Sequence, residues 1–134
     1  MQARYDNPTS STMPATLTFA ADNFGWVWIN SEQVGYTDTF TTLTTEAISL
    51  PPGEDTVDFM VMNDPNSPAS DPTEFENPAA GILSITNSAG QTILATNDTD
   101  WTEIDNPPTN PDPSPQSLLP AGYTPQNCAA GGCG

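Results

Sequence analysis

Histidine and lysine are both absent from this 134-residue sequence, and Arg4 is its only basic side chain. Without them, Ser-His-Asp triads, Schiff-base lysines and most general-base designs have no residues to work with. A carboxylate pair of the glycosidase type is the one catalytic device left. Among seventeen Asp and Glu, close carboxylates arise by accident, so no catalytic residue is assigned and a protein that is not an enzyme is expected. The same imbalance gives a formal net charge of -16. It repels phosphate, which excludes nucleic-acid binding through counterion release, and it disfavours anionic membrane surfaces equally. Long apolar runs are missing too, since nothing approaches the roughly 20 residues that cross a bilayer. The start Met1-Gln-Ala-Arg-Tyr-Asp-Asn-Pro is polar and lacks the hydrophobic segment of a secretion signal. It predicts a chain made in a cytoplasm and not exported by the usual route.

What the chain does have is β periodicity. Only 13% of residues are charged, and the Trp, Phe, Ile and Val of the middle suffice for a core, against a reading of disorder. At this length one domain is expected, burying about two thirds of the surface of its unfolded chain. Within residues 15–104, Leu17 and Phe19 alternate with Thr16 and Thr18, and Val27 and Ile29 with Trp26 and Trp28. Val57, Phe59 and Val61 share one face of a further segment, with Asp58, Met60 and Met62 on the other. Ile48 and Leu50 run into Pro51-Pro52-Gly53, a stop and turn. Leu83 and Ile85 precede the hairpin signal Asn87-Ser-Ala-Gly90, and Thr92-Ile-Leu-Ala95 returns. Trp101 to Ile104 reads as a short closing strand. No segment holds a helical period over ten residues. About eight short strands at 8–12-residue spacing predict an all-β sandwich or barrel. Val27, Ile29, Val57, Phe59, Val61, Leu83 and Ile85 are expected to face one core.

The flanks differ in kind. Residues 1–14 read as an extended arm rich in Ser, Thr and Pro, and residues 105–134 as a tail holding seven of the fifteen prolines. Proline lacks the N–H that a sheet interior needs, so the tail is expected to be extended, with polyproline character. Neither flank offers enough apolar surface to offset roughly 1–2 kcal/mol of backbone ordering per residue. The expectation is therefore docking on neighbouring subunits, through Tyr5, Met13, Leu118, Leu119 and Tyr123.

Several pieces of the middle occur in a particular order: Ala21-Asp22-Asn23, Trp28-Ile29-Asn30, Val34-Gly35, Leu50-Pro51-Pro52-Gly53, Asp55 to Asn63, Pro78-Ala79-Ala80-Gly81-Ile82-Leu83 and Trp101. In that order the module resembles the galactose-binding-domain-like jelly rolls of carbohydrate-binding modules, glycosidase accessory domains and structural proteins of phages and large viruses. The resemblance covers about two thirds of the chain and implies a jelly-roll β-sandwich. It departs at Ser31, where the family has Gly after Asn. A two-residue I′ turn needs positive φ there, so a longer loop through Ser31-Glu32-Gln33 is expected.

Trp26, Trp28, Tyr36 and Trp101 could form a sugar-stacking platform, or the same rings could belong to the second face of the sandwich or to a subunit interface. Asp64-Pro-Asn-Ser-Pro-Ala-Ser-Asp71 starts like a calcium loop but lacks Gly at its sixth position and has Phe75 at its twelfth, so it fails as an EF-hand. A structural calcium held by Asp22, Asn23, Asp98 or Asp100 is the one cofactor left open. Cys128 and Cys133, separated by four small residues, leave two readings, a disulfide or free thiols; two thiolates without His are too few for zinc from one chain. With arm and tail taken as clasps, the expected function is a virion structural protein: a capsid decoration, minor capsid or fibre component made in the host cytoplasm, with virion subunits as partners. The alternative is a carbohydrate-binding module that recognises cell-surface glycans, placed outside the cell or on its surface.

Overall fold

Period-2 alternation becomes two layers. The computed structural model describes residues 1–64, 79–98, 100–104, 108, 110–119 and 121. Its strands are β1 (Gln2–Asn7), β2 (Met13–Asp22), β3 (Phe24–Ile29), β4 (Glu32–Thr37), β5 (Thr44–Leu50), β6 (Gly53–Met62), β7 (Ala80–Asn87) and β8 (Thr92–Ala95). They build two antiparallel four-stranded sheets, ordered β1-β6-β3-β4 and β5-β2-β7-β8, an all-β sandwich of jelly-roll type. Between the sheets lie Val27, Ile29, Val57 and Phe59 from the first and Leu17, Phe19, Leu83 and Ile85 from the second, all buried, with Val61 half-buried against them. Phe19 and Phe59 meet edge to face at 6.3 Å and 83°. Both rings lie close against backbone. A Cβ on Gly35 would stand 2.8 Å from the Phe19 ring, and one on Gly81 2.7 Å from Phe59 Cζ.

The arm expected at residues 1–14 is not an arm. Gln2 to Asn7 pairs along β6, from Gln2 opposite Asp58 to Asn7 opposite Gly53. Met1 extends the ladder by exchanging two 2.9 Å backbone hydrogen bonds with Phe59. Ala3, Tyr5 and Asn7 point inward, but the third inward position is an amide, which hides the apolar period. That amide is satisfied: Asn7 Nδ2 donates to Leu50 O at 2.9 Å and Pro51 O at 3.0 Å, while its Oδ1 accepts from Thr9 N at 3.0 Å. Asn7 so ties the β1–β2 and β5–β6 crossings together. Met13 opens β2, and Tyr5 and Met13 both pack against the chain's own core rather than serving as anchors for a neighbour.

The long loop expected at Ser31 is also absent. Ile29 pairs with Glu32, and Asn30 and Ser31 form a two-residue turn with φ of 50° and 70°. Positive φ is costly for a serine. It is held here by Asn30, whose Oδ1 accepts from Thr56 N at 2.9 Å and whose Nδ2 donates to Asp55 Oδ1 at 2.6 Å. The side chain of Asn30 fixes the turn to β6, and Ser31 follows.

Candidate functional site

With Val27 and Ile29 turned inward, β3 turns Phe24, Trp26 and Trp28 to the outer face of the first sheet. Across the ladder Trp26 stands opposite Tyr36 of β4 and Met60 of β6, and Trp28 opposite Gln33 and Asp58. The rings form a tilted row, with Phe24 and Trp26 centroids 6.4 Å apart and Trp26 and Tyr36 5.5 Å apart. Partial burial, with the Asp38 carboxylate nearby, pushes the Tyr36 phenol above its usual range.

The tail covers this row. Thr102 exchanges backbone hydrogen bonds with Gln2 at the β1 edge, 2.7 and 2.8 Å long. Further on, Ile104 and Pro108 join Asp58 and Met60 around a cleft of about 180 Å³. At the β4 edge, the Gln33 amide clasps the Asp112 backbone, donating to its carbonyl at 2.5 Å and accepting from its N–H at 2.8 Å. Trp26 Nε1 donates to Pro113 O at 2.9 Å. Ser114 then caps a short 3-10 turn, Pro115–Leu118. The described residues from Thr102 onward so meet the sheet at β1, at β6 and, with residues 110–113 as a strap, at β3 and β4. This corrects the expectation of a tail docked on other subunits, for the described part of the tail lies on its own sandwich. The physical reason is an unsatisfied aromatic face that needs cover and a proline-rich segment that loses little freedom on docking. Leu118 and Leu119 are half-buried at the end of the strap; Tyr123, Cys128 and Cys133 lie outside the described residues.

The four rings named from sequence are not one platform. Trp26 and Trp28 are 0% and 1% exposed, which closes their faces to a ligand in this arrangement. Tyr36 is half-buried beside Trp26. Trp101 stands apart: it packs on the core and donates from Nε1 to Ala95 O at 2.7 Å, closing the side between β8 and β1. Phe24, half-buried at the other end of the row, was overlooked. Its parity with Trp26 and Trp28 was the signal.

Two of the four residues named for calcium accept hydrogen bonds from the backbone. Asn23 Oδ1 accepts from Asp64 N at 2.7 Å, and Asp98 Oδ2 from Ala95 N at 2.7 Å. Asp22 ends β2 opposite Ala80, and Asp100 lines a depression beside Gln2, Arg4 and Thr102. Among the described residues no three His, Cys, Asp or Glu stand together as metal ligands. Of the calcium-like stretch from Asp64 to Asp71, only Asp64 lies among the described residues. One carboxylate escaped the sequence reading altogether. Asp55, 1% exposed, points into the sandwich, and its Oδ2 has no hydrogen-bond partner among the described residues.

No family model and no curated protein matches the chain. Among solved structures, it is similar to the Pleurotus ostreatus lectin in its apo form, with a TM-score of 0.56 and 23% sequence identity. The likeness covers 83% of this chain and 32% of the lectin chain, so this sequence spans about a third of that protein. At that identity the match establishes a shared β-sandwich fold.

Proposed function

We propose that this chain is a carbohydrate-binding module, acting by binding and not by catalysis. The observation that carries the reading is the aromatic row Phe24–Trp26–Tyr36 on the outer face of one sheet. Aromatic rings in a row suit the apolar faces of sugar rings, and the acidic surface, with Asp38 near Tyr36, supplies acceptors for hydroxyls. A lectin of the same fold supports the choice of ligand class. Phe24 and Tyr36, the half-exposed rings on either side of Trp26, are the residues expected to touch sugar. The virion reading has no comparable support: its arm is strand β1, and the described part of its tail covers the chain's own sheet.

A glycan array with the full chain tests the proposal, followed by titration of the best hits. Binding that is lost in the Phe24→Ala/Tyr36→Ala double variant, with the fold retained by circular dichroism, is the expected result. An array without hits, or hits indifferent to that double substitution, would overturn it.

A further inference from the structure

We infer that residues 110–113 are a resident, displaceable occupant of the aromatic face, so that the chain carries its own competitor for the ligand. What the strap competes with rests on the glycan reading; that it can leave does not. Three observations carry the inference. The first is placement: Pro113 offers its carbonyl to the Trp26 indole N–H at 2.9 Å, in the middle of the row where a sugar would have to stack. The second is the smallness of the fastening. Among the described residues, the hydrogen bonds that hold it on β3 and β4 are that one and the two between Gln33 and the Asp112 backbone, and Gln33 stands half-exposed on an edge strand. No side-chain cation locks it, because the only basic side chain, Arg4, is spent on Glu54 at 2.8 Å on the outer face of β1. The third is stiffness. Pro111, Pro113 and Pro115 alternate along the segment, and each ring fixes its own φ, so the segment has little backbone freedom to lose on docking or to regain on leaving. Proline-rich segments settle on aromatic surfaces at a low entropic cost in either direction.

While the strap is down, apparent affinity for a ligand of the row is reduced by the fraction of molecules with the face open. Loosening the clasp should restore it. Gln33→Ala removes both bonds to Asp112; Gln33→Glu keeps an acceptor for the Asp112 N–H but sets a second carboxylate beside Asp112. In the full chain, both variants are expected to show red-shifted tryptophan emission and greater acrylamide quenching than the parent, Gln33→Ala more than Gln33→Glu, with unchanged far-ultraviolet circular dichroism. A synthetic peptide of residues 108–119, added to Gln33→Ala, should reverse the quenching. Glycan affinity should rise about ten-fold in Gln33→Ala. Indoles that stay shielded in both folded variants would overturn the inference. Indoles that open while glycan affinity stays at the parental value would overturn it as well, leaving the glycan reading intact. If the indoles open and the peptide covers them again, but no glycan binds either protein, the strap stands and the carbohydrate reading falls.

Discussion

The outer faces of the two sheets are built from opposite materials. The second sheet shows solvent Thr16 and Thr18 from β2, Ala47 and Ser49 from β5, and Ile82, Ser84 and Thr86 from β7. The first shows Phe24, Trp26, Trp28, Tyr36 and Met60 over β3, β4 and the end of β6, beside polar Gln2, Arg4, Glu54 and Thr56 at its β1 side. Small polar side chains suit a sandwich whose outside meets water. A row of large rings does not, and there the described part of the proline-rich strap lies on β3 and β4. The difference teaches where to look for a binding function: on the face whose composition demands a partner, not on the one already content with solvent.

Substitution on each face can break that comparison. Trp26→Ala, beneath the strap, should destabilise by about 3–5 kcal/mol, the cost of emptying a buried large side chain. Ile82→Ala, at a position 59% exposed on the second sheet, should stay within about 0.5 kcal/mol of the parent. Urea denaturation of both variants checks the pair. Similar costs at the two positions would mean that the strap shields Trp26 far less than its burial implies.

The inner faces should behave alike from either side, which sharpens the contrast. Gly35→Ala from the first sheet would press on the Phe19 ring, and Gly81→Ala from the second on Phe59 and Val61. Each is expected to cost about 1–3 kcal/mol by overpacking, read as a shift of the denaturation midpoint. If one is tolerated freely, the ring it faces has room to move and the core is looser on that side.

Alternation made this inner layer legible in the sequence, because Leu17, Phe19, Val57 and Phe59 repeat every second residue and are flanked by turn residues. Other elements were illegible for specific reasons. β1 has one small apolar residue, one tyrosine and one buried amide on its inner side, so no period stands out. The turn at Ser31 depends on hydrogen bonds from Asn30 to a strand more than twenty residues away. Alternation sent Trp26 and Trp28 to the right side of β3 but could not say whether that side is wet. The strap decides that, and its docking rests on Gln33 and Trp26 meeting the backbone of Asp112 and Pro113, contacts that no local pattern encodes.

Buried polarity separates the sheets further. Asn7, Thr37, Asp55 and Asp58, the buried polar residues of the strands, all belong to the first sheet. Asp55 has one bond, from Asn30, and an unpartnered oxygen among the described residues. A buried carboxylate so poorly supplied with donors is costly, and the isosteric amide removes its charge. Asp55→Asn should therefore raise stability at neutral pH by about 1 kcal/mol, measured by chemical denaturation. A loss of that size would mean that an ordered water or a cation completes the carboxylate.

The smallest effect expected is a pH dependence carried by Tyr36 on the first sheet's outer face. Burial first, and the Asp38 carboxylate second, raise the Tyr36 phenol above its ordinary value near 10. The folded state thus holds the proton more tightly than the unfolded chain does. The resulting stabilisation is complete below the unfolded value of about 10 and is lost as pH rises from there through the folded value. Thermal melts from pH 8 to 11 should show the parent losing stability on the alkaline side. Tyr36→Phe removes this group's share, so its melting temperature should fall less over the same interval. Because both proteins gain negative charge elsewhere in the same way, the difference between the two curves isolates the phenol. Parallel curves would mean that Tyr36 ionises as freely as in the unfolded chain, and that the aromatic row is more open to water beside the strap than its packing against Trp26 implies.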